Sequence, residues 1–368
     1  MTQTADILVI GGGIAGVSAA RQLTPEASVI VLEAEDQIGY HATGRSAAMF
    51  IRNYGNATLR TLSDQSFPEF NEPAGIAGGS LLSPRGEMVV ATVGEEEAFE
   101  NFLSHATGVD VITPKEAVSL FPILREERIA RGAIERGASD IDVDRLFQGY
   151  ARLVKSQGGH IVTKTQAQSI TRSQGVWKIN TTKGNYQAPV LVNAAGAWAD
   201  EIARLAGVNP VGLTPLRRSV TLVKGPGGFD MSDWPMVVSA AEDWYAKPES
   251  GLLMVSPADE GPVDPHDAWA DDFAIAEGLY RFEQATTLSV DQIESSWAGL
   301  RTFTKDRTPM VGFAPDADGF FWLAGQGGHG VQTAPALSGL TADLVLERTP
   351  QLDEPIVATL SPTRAALS

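Results

Sequence analysis

The residues with the clearest chemical meaning are three glycines near the amino terminus and one acid that follows them. Gly11, Gly13 and Gly16 have the spacing G-x-G-x-x-G, and Glu33 stands seventeen residues after the last of them. In this pattern the first glycine permits a tight turn, the second admits a pyrophosphate, and the third allows close helix-to-strand packing. Free amides at the start of a helix opening at Ile14 would face the phosphates, and Glu33 would accept from a ribose hydroxyl. The pattern predicts a bound dinucleotide.

A second glycine triplet near the carboxyl terminus narrows the choice of dinucleotide. Gly325, Gly327 and Gly330 repeat the spacing after an apolar strand, but the chain ends at Ser368 without a further strand and acid. The triplet therefore cannot complete another nucleotide-binding unit. The triplet would instead lead to the amino terminus of a helix. The positive end of a helix dipole stabilises the negative charge of reduced flavin, and nicotinamide carries no such charge. Small residues around Gly196 end another strand where backbone can lie against a cofactor. Together these features favour FAD.

The elements that position these residues alternate between two patterns. Ile7 to Ile10, a helix from Ile14 and Ser28 to Leu32 predict a strand-helix-strand unit, joined by a helix over 143–157 and buried strands at 160–163 and 190–192. A glycine-bearing loop over 39–48 is expected to lead into a helix. Residues 218–223 and a hairpin turning at 248–251 predict an antiparallel sheet.

The predicted fold class is α/β, with α+β character overall. A Rossmann-like FAD-binding domain would comprise residues 1–56, 137–215 and 296–368. A discontinuous antiparallel-sheet substrate domain would comprise residues 57–136 and 216–295. The length of 368 residues suits this division, because it exceeds what one hydrophobic core usually serves.

Composition excludes several classes of protein. The net charge of −17 argues against nucleic acid and anionic membrane surfaces as partners. The absence of cysteine removes disulfides, iron–sulfur clusters and a cysteinyl link to a flavin, so FAD should be held non-covalently. No signal peptide or transmembrane run is recognisable, and a cytoplasmic location is expected, with peripheral contact with the inner face of the membrane left open. No metal pattern joins the five histidines.

Several segments resemble one flavoenzyme family. They are 39–41, 43–48, 81–85, 87–90, 191–198, 217–219, 297–301 and 326–328. Over almost its whole length the chain resembles the D-amino-acid oxidase superfamily, and within it most of all the bacterial FAD-dependent D-arginine dehydrogenases. The segments around Tyr54 and Glu87 carry the narrower likeness.

The resemblance implies a set of cofactor-binding positions, to which the glycine turns above belong. They are Gly11, Gly13, Ala15, Gly16, Glu33, Ala42, Thr43, Gly44, Arg45, Ser46, Ala47, Ala48, Met49, Ala167, Gly196, Gly327, Gly328, His329, Gly330, Val331 and Gln332.

The resemblance also implies a substrate site. Arg218, in a strand, and Arg301, in a loop, would bind the substrate carboxylate as a fork, aided by Tyr245, while the Gly328 carbonyl would orient the amine. Guanidinium groups suit this task because they bind a carboxylate bidentately. Tyr54 and Glu87 would receive the far end of a cationic side chain. Each residue also has a purely structural alternative. The arginines could form a surface salt bridge, Tyr245 could simply pack in the core, and Glu87 could be a charge that faces solvent from an edge strand.

Two departures from the D-arginine enzymes fall in this presumed cavity. Met49 stands where those enzymes have a histidine, and His329 stands where they have a tyrosine. Loss of a polar group at position 49 bears on side-chain preference and on any proton-handling role there. Flavin binding should survive both changes.

The implied reaction is hydride transfer from Cα of a D-amino acid to flavin N5, after which water hydrolyses the imino acid to a 2-oxo acid and ammonia. D-arginine, D-lysine or a broad range of D-amino acids would serve, with oxygen or a quinone-linked carrier as the unresolved electron acceptor. No side chain stands out as the base, so the ammonium proton would pass to solvent or a bound water. One alternative is a sarcosine-, glycine- or proline-type secondary-amine enzyme of the same superfamily. The other is a flavin-bearing binding protein without turnover.

Overall fold

The structure is a computed structural model that describes residues 2–367. Its α-helices alternate with strands along the chain. They are α1 Ile14–Leu23, α2 Ala57–Asn71, α3 Glu96–His105, α4 Pro114–Leu120, α5 Val143–Ser156, α6 Ala199–Leu205, α7 Asp272–Ala285, α8 Ala334–Val345 and α9 Glu354–Leu360. Short 3-10 helices lie at Ala42–Arg45, Glu126–Arg128, Gly196–Trp198 and Ala365–Leu367.

The strands build four sheets. In chain order they are β1 Thr2–Thr4, β2 Ile7–Ile10, β3 Val29–Leu32, β4 Met49–Phe50, β5 Leu82–Pro84, β6 Glu87–Thr92, β7 Asp110–Ile112, β8 Ile129–Glu135, β9 Ser139–Ile141, β10 His160–Val162, β11 Ala167–Ser173, β12 Val176–Thr181, β13 Gly184–Ala188, β14 Val190–Asn193, β15 Thr214–Val223, β16 Met236–Ser239, β17 Tyr245–Glu249, β18 Leu252–Ser256, β19 Ile293–Phe303, β20 Met310–Phe313 and β21 Phe320–Ala324.

A six-stranded sheet with strand order β10-β3-β2-β14-β21-β20 holds the amino-terminal glycine turn. Its first five strands are parallel, and β20 pairs antiparallel with β21. Strands β2 and β3 are buried throughout, as expected of a parallel sheet covered on both faces. Because parallel strands end at one edge, the turns after β2, β3, β14 and β21 all lie at that edge, where ligands of such sheets bind. The strand predicted to be buried at 160–163 is not, because β10 is the edge strand: His160 is exposed, and Ile161 and Val162 are half-buried.

Helix α1 packs close to this sheet because its inner face carries small residues. Ala19, Ala20 and Leu23 join a buried cluster with Ile7 and Val9 of β2. Helix α5 begins where the sequence predicts: the Asp142 side chain accepts a hydrogen bond from the Arg145 amide at 3.0 Å, which caps the helix.

The second large sheet has eight strands in the order β19-β15-β18-β17-β16-β6-β8-β7. All neighbours in it are antiparallel except β16 and β6, which are parallel. The predicted hairpin joins β17 to β18 through Ser250 and Gly251, both with positive φ, as a tight hairpin turn requires. Glu87 begins β6, which lies between β16 and β8. It is therefore not on an edge strand.

The predicted fold class is confirmed, a mixed α/β fold with a parallel nucleotide-type sheet and a largely antiparallel sheet. Strands β15 and β19 cross the positions 215/216 and 295/296, where the predicted domain division falls. The domain ranges themselves stay a prediction.

Two smaller sheets are absent from the sequence prediction. One has the order β1-β13-β12-β11 and the other the order β4-β9-β5. The sequence predicts that the loop over 39–48 leads into a helix. In the structure it does not do so directly. It forms the 3-10 helix Ala42–Arg45 and then β4, whose Met49 pairs with Asp140 of β9. The periodicity of the sequence cannot reveal a two-residue strand, because this strand forms only by pairing with β9, a segment far along the chain.

Candidate active site

The amino-terminal turn has the backbone that its glycines predict. Gly11 has φ +109°, and a Cβ there would collide with the carbonyl oxygen of Ala194. A Cβ on Gly16 would collide with the carbonyl oxygen of Gly11. At Gly13 the nearest atom to an added Cβ is the Thr43 hydroxyl at 3.4 Å, so this side of the turn is open. The turn is thus a cradle that a Cβ would fill, which fits a cofactor pyrophosphate.

Glu33 lies over this turn at the end of β3. Its carboxylate accepts from the Gly12 amide at 2.7 Å and from the Glu35 amide at 2.8 Å. One predicted detail differs, because the Ile14 amide is not free: it donates to the Thr43 hydroxyl at 3.0 Å. Thr43 belongs to the loop after β3, which is thereby tied to the start of α1.

The carboxyl-terminal turn is packed against the antiparallel sheet. Gly327 has φ +55°, and a Cβ there would collide with the Phe303 ring. A Cβ on Gly328 would lie 2.9 Å from the Tyr54 hydroxyl and 3.1 Å from a guanidinium nitrogen of Arg301. The closing helix predicted after this turn is α8, which begins at Ala334 after further turns.

Gln332, in those further turns, has its side chain fully engaged within the protein. Its amide oxygen accepts from the Ile51 amide at 3.0 Å, and its nitrogen donates to the Ile51 carbonyl at 2.7 Å and to the Ser63 hydroxyl at 2.6 Å. Only its backbone is left to approach a cofactor.

Two adjoining cavities lie between the sheets. The smaller, about 90 Å³, is enclosed by the loop after β3 and the carboxyl-terminal turn, and its predicted members are Ala42, Thr43, Arg45, Ser46, Ala47, Gly327, Gly330 and Val331. The larger, about 1020 Å³, adds Ala48, Met49, Tyr54, Glu87, His329 and Gln332. Both are lined by Arg218, Tyr245, Arg301 and Gly328. The substrate residues implied by the resemblance therefore converge on one space.

Other predicted positions lie outside both cavities. They are Gly11, Gly13, Ala15, Gly16, Glu33, Gly44, Ala167 and Gly196. Most belong to the nucleotide turn or its surroundings: the Thr165 amide, two residues before Ala167, donates to the Glu33 carbonyl at 2.7 Å. Gly196 is exposed, and no atom of residues 2–367 lies within 4 Å of a Cβ added to it. The Arg45 guanidinium, although its residue lines the smaller cavity, binds the carbonyls of Ala268 and Ala298.

Arg218 and Arg301 are brought together by the register of two strands. Arg301 lies in β19, not in a loop as predicted. Strands β15 and β19 are antiparallel, with Leu216 opposite Arg301 and Arg218 opposite Gly299. The two arginines are therefore diagonal neighbours on one face of the sheet, because side chains two residues apart share a face. The sheet register, not chain proximity, forms the fork.

Glu260 and Arg307 belong to this site and were not predicted. The Arg218 guanidinium donates to the Asp259 carbonyl at 2.9 Å and to the Glu260 carboxylate at 3.1 Å. Arg307 donates to the same carboxylate through two nitrogens at 2.8 and 3.0 Å. Despite burial, which opposes ionisation, Arg307 and Arg218 lower the pKa of Glu260. No spacing in the sequence predicts this bridge, because Arg218 lies in β15 while Glu260 and Arg307 lie in two different loops.

Arg301, Tyr54 and His329 form a stack beside the Gly328 turn. Arg301 donates to the Tyr54 hydroxyl at 3.0 Å, and the Tyr54 ring stacks on His329 with centroids 4.2 Å apart. His329 is 5% exposed, and neither ring nitrogen has a hydrogen-bond partner among residues 2–367. Burial first, and then the charges of Arg301 and Arg307, lower the pKa of His329 to about 3. The imidazole is therefore neutral under ordinary conditions.

Tyr245 and Glu87 present further polar groups that lack a partner among residues 2–367. The Tyr245 hydroxyl is buried and lacks a partner within the described chain, which costs free energy unless a ligand supplies one. Glu87 is only 8% exposed. Burial, followed by the charges of Glu135 and Glu242, raises the pKa of Glu87 to about 8. The solvent-facing alternative for Glu87 is thus wrong, and its carboxyl group faces the larger cavity without a cation in residues 2–367.

No helix within residues 2–367 combines the length and apolarity that a membrane crossing requires.

Comparison with known proteins identifies the family to which this site belongs. The family described as FAD dependent oxidoreductase (DAO) matches residues 6–344. The glycine oxidase of Geobacillus kaustophilus is 26% identical over 369 residues, covering 94% of each chain. Human mitochondrial dimethylglycine dehydrogenase is 23% identical over 379 residues, covering 95% of this chain and 43% of that protein.

Solved structures agree on the fold. A crystal structure of Geobacillus kaustophilus glycine oxidase has a TM-score of 0.84 at 24% identity, covering 99% of both chains. L-alpha-glycerophosphate oxidase from Mycoplasma pneumoniae, with FAD bound, has a TM-score of 0.85 at 18% identity, covering 96% of this chain and 97% of that one. These relatives are not D-arginine dehydrogenases, so the likeness covers the fold and the family but not that branch.

Proposed function

This chain belongs to the FAD dependent oxidoreductase (DAO) family, and from that premise we propose that it oxidises D-amino acids with cationic side chains to 2-oxo acids and ammonia. D-arginine and D-lysine are the foremost candidates. The observation that carries the proposal is Glu87, a buried carboxyl group that faces the substrate cavity without a cationic partner in the described chain.

The residues present fit the cofactor. The glycine turn at 11–16 would hold the pyrophosphate, Glu33 the ribose, and the loop over 42–49 with the turn over 327–332 the flavin ring. Among the described residues only the Thr43 hydroxyl comes within 4 Å of a Cβ added at Gly13, so the phosphates could approach the backbone there. FAD, when bound, supplies the redox chemistry by accepting a hydride from the carbon that bears the amine.

The carboxylate of the substrate would lie between Arg218 and Arg301. Both guanidinium groups line the cavity from neighbouring strands, and each is already held by an oxygen partner, Glu260 for Arg218 and Tyr54 for Arg301. Such anchoring fixes the direction of the remaining N–H groups before the substrate arrives. The Tyr245 hydroxyl, which has no partner in the described part of the chain, would donate a further hydrogen bond to the carboxylate.

The amine of the substrate would face the Gly328 carbonyl, which accepts from no backbone or side-chain donor within residues 2–367. A carbonyl accepts from an amine and so orients it. His329 is close by, but we do not assign it the role of a base. Its pKa of about 3 means that the imidazole does not accept a proton near neutral pH. We therefore infer that the ammonium proton passes to solvent or to a bound water.

The cationic end of the substrate would reach Glu87. A guanidinium or ammonium group near this carboxyl favours its ionised form and removes the burial cost of an unpaired acid. Met49 also lines this cavity, so the side chain of the substrate would contact both an apolar surface and an acidic group. A D-amino acid with a long stem and a charged end matches that combination.

A second candidate function is oxidation of a secondary amine or of glycine. The observation in its favour is the similarity to glycine oxidase and dimethylglycine dehydrogenase over nearly the whole chain. Against it stands Glu87, which a substrate without a side chain would leave buried and unmatched. A non-catalytic flavin-bearing protein is disfavoured by the retained pair Arg218 and Arg301.

Anaerobic flavin reduction decides between these functions. The FAD-loaded protein would be mixed with D-arginine, D-lysine, D-leucine, glycine, sarcosine and L-proline, and flavin bleaching followed. Fastest bleaching with D-arginine and D-lysine supports the proposal, and faster bleaching with sarcosine or glycine supports the second candidate. Replacing Glu87 by Leu should weaken D-arginine and D-lysine selectively; an equal loss for D-leucine would refute the side-chain role. Bleaching by none of the amines would favour the non-catalytic alternative.

A further inference from the structure

Glu135 lies directly beside Glu87 but has an entirely different environment. The two residues are opposite each other on the antiparallel strands β6 and β8. Glu135 is 4% exposed, and three N–H groups surround its carboxylate: the amide of Arg52 at 2.8 Å, the side-chain nitrogen of Asn53 at 2.7 Å and the amide of Asn53 at 3.2 Å. Three donors complement a carboxylate, so the negative charge of this pair resides on Glu135.

The backbone that Glu135 holds belongs to the segment covering the cavity. This covering segment, residues 51–56, is fastened at each end by polar side chains of other elements: Ile51 by Gln332 and Asn56 by Thr308. Its middle is held by Glu135, and the next residue is Tyr54, which accepts from Arg301. The position of Tyr54 therefore depends on the contact at Arg52 and Asn53.

Asn53 ties the same point to a third element. Its side-chain oxygen accepts from the Thr107 amide at 2.8 Å, and its nitrogen donates to the Thr107 carbonyl at 3.0 Å as well as to Glu135. The covering segment is thus joined at one residue both to β8 and to the loop after α3. Loss of the Glu135 charge would weaken these hydrogen bonds and would turn one of the two acceptor oxygens, each of which now faces Arg52 or Asn53, into a donor.

The groups around Glu87 leave Glu135 as its closest charged neighbour in the sheet. Other titratable or charged side chains near this part of the cavity or on elements packed against it are Arg52, Arg60, His105, Arg131, Glu242 and Lys247. The arginines and the lysine among them are engaged elsewhere: Arg52 by Asp64, Arg60 by the His105 carbonyl, Arg131 by Glu100, and Lys247 by Asp140 and Glu249.

We propose that Glu135 is a positioning residue that couples the two ends of the substrate site, holding Tyr54 against Arg301 at the carboxylate end while making Glu87 selective for a cation at the other. The coupling follows from one carboxylate having two neighbours: the backbone of the covering segment on one side and the unpaired acid on the other. The first contact is attractive and sets position. The second is repulsive once Glu87 ionises, and a cationic side chain beside Glu87 offsets that repulsion. The selectivity half of this proposal rests on the proposed function.

The test uses Glu135→Gln and Asn53→Ala in the FAD-loaded protein, with Glu100→Gln, a surface carboxylate that pairs with Arg131 of β8, as the matched control. Amide hydrogen exchange reports on position without any substrate. Exchange at Arg52 and Asn53 should accelerate about tenfold or more in Glu135→Gln and less in Asn53→Ala, with the parallel sheet unchanged. Unchanged protection in Glu135→Gln would overturn the positioning role.

The second measurement is the ratio of apparent affinities for D-lysine and D-leucine between pH 6 and pH 9.5. Because the Glu135 charge helps raise the pKa of Glu87 to about 8, this ratio should rise with pH through a midpoint near 8 in the parent protein and in Glu100→Gln. In Glu135→Gln the midpoint should move down by about half a pH unit or more. An unmoved midpoint would overturn the coupling. If neither amino acid reduces the flavin of the parent protein, the proposed function and the selectivity half fail together, while the exchange result still decides the positioning half.

Discussion

Tyr54 and Arg301 are joined by a hydrogen bond of 3.0 Å although 247 residues separate them in the chain. The contact connects the covering segment to strand β19, and Gly328 lies against both side chains. A loop that lacks regular structure of its own is thereby fixed against the sheet at the point where the substrate carboxylate would bind.

Replacing Tyr54 by Phe tests this contact. The ring can still stack on His329, but Arg301 loses one acceptor and is less firmly oriented. We expect kcat/KM to fall about tenfold, the effect of one hydrogen bond to a charged group. Steady-state kinetics with D-arginine would measure it. Tyr40→Phe is the control, because the Tyr40 hydroxyl bonds to Asp267 outside the cavities. Equal losses in both variants would contradict the assignment.

Replacing Arg218 by Lys should remove one arm of the carboxylate fork. An ammonium group keeps the charge but cannot bind Glu260 and a carboxylate in the same planar geometry. We expect kcat/KM to fall about a hundredfold for every amino acid tested, because the carboxylate is common to them all. Arg217→Lys supplies the control, since Arg217 points to Asp271 on the other face of the strand. A loss confined to cationic substrates would contradict a carboxylate-binding role.

The stability of the substrate-free protein should reveal the protonation of Glu87. Its pKa of about 8 lies above the value of 4.5 for a free carboxyl group. Between these two values the folded protein binds a proton that the unfolded chain releases, so this group makes stability fall as pH rises. Glu87→Gln should therefore raise the melting temperature at pH 8, by about 2 °C or more, and have little effect at pH 5. A gain of equal size at both values would refute the shift.

His329 should show the opposite dependence. Its pKa is lowered to about 3 from a usual 6.5, so between these values the unfolded chain binds the extra proton and stability falls as pH falls. His329→Phe, which keeps a ring against Tyr54, should lose less stability than the parent protein between pH 6.5 and pH 4. Thermal melts across that range would measure the difference, with His160→Phe at the exposed edge of β10 as the control. Parallel curves for His329→Phe and the parent would show that His329 is not buried in neutral form.

Gly16→Ala should separate cofactor binding from folding. The new Cβ would collide with the Gly11 carbonyl and displace the turn that cradles the pyrophosphate. The purified protein should lose most of its flavin absorbance. Gly339→Ala is the matched control in another helix, where an added Cβ meets no atom within 4 Å, and it should retain full flavin content. Full flavin in both variants would show that the turn does not hold the cofactor.

Local patterns in the sequence were sufficient for the nucleotide-binding half of the molecule. The turn at Gly11 to Gly16, the acid at Glu33, the parallel strands and the capped helix α5 all follow from residues close together in the chain, where glycine conformation, side-chain capping and hydrophobic period act directly. The family likewise followed from short segments, and its match over residues 6–344 confirms it.

Only the tertiary structure decided which side chains share a cavity and what charge they carry. Register between β15 and β19 placed Arg301 beside Arg218 and in a strand. The bridge through Glu260 to Arg307, the burial of Glu87 opposite Glu135 and the stacking of Tyr54 on His329 join residues that lie far apart in the chain. Burial and the Coulomb interactions that shift a pKa depend on distances in the folded protein, and no spacing along the chain specifies them.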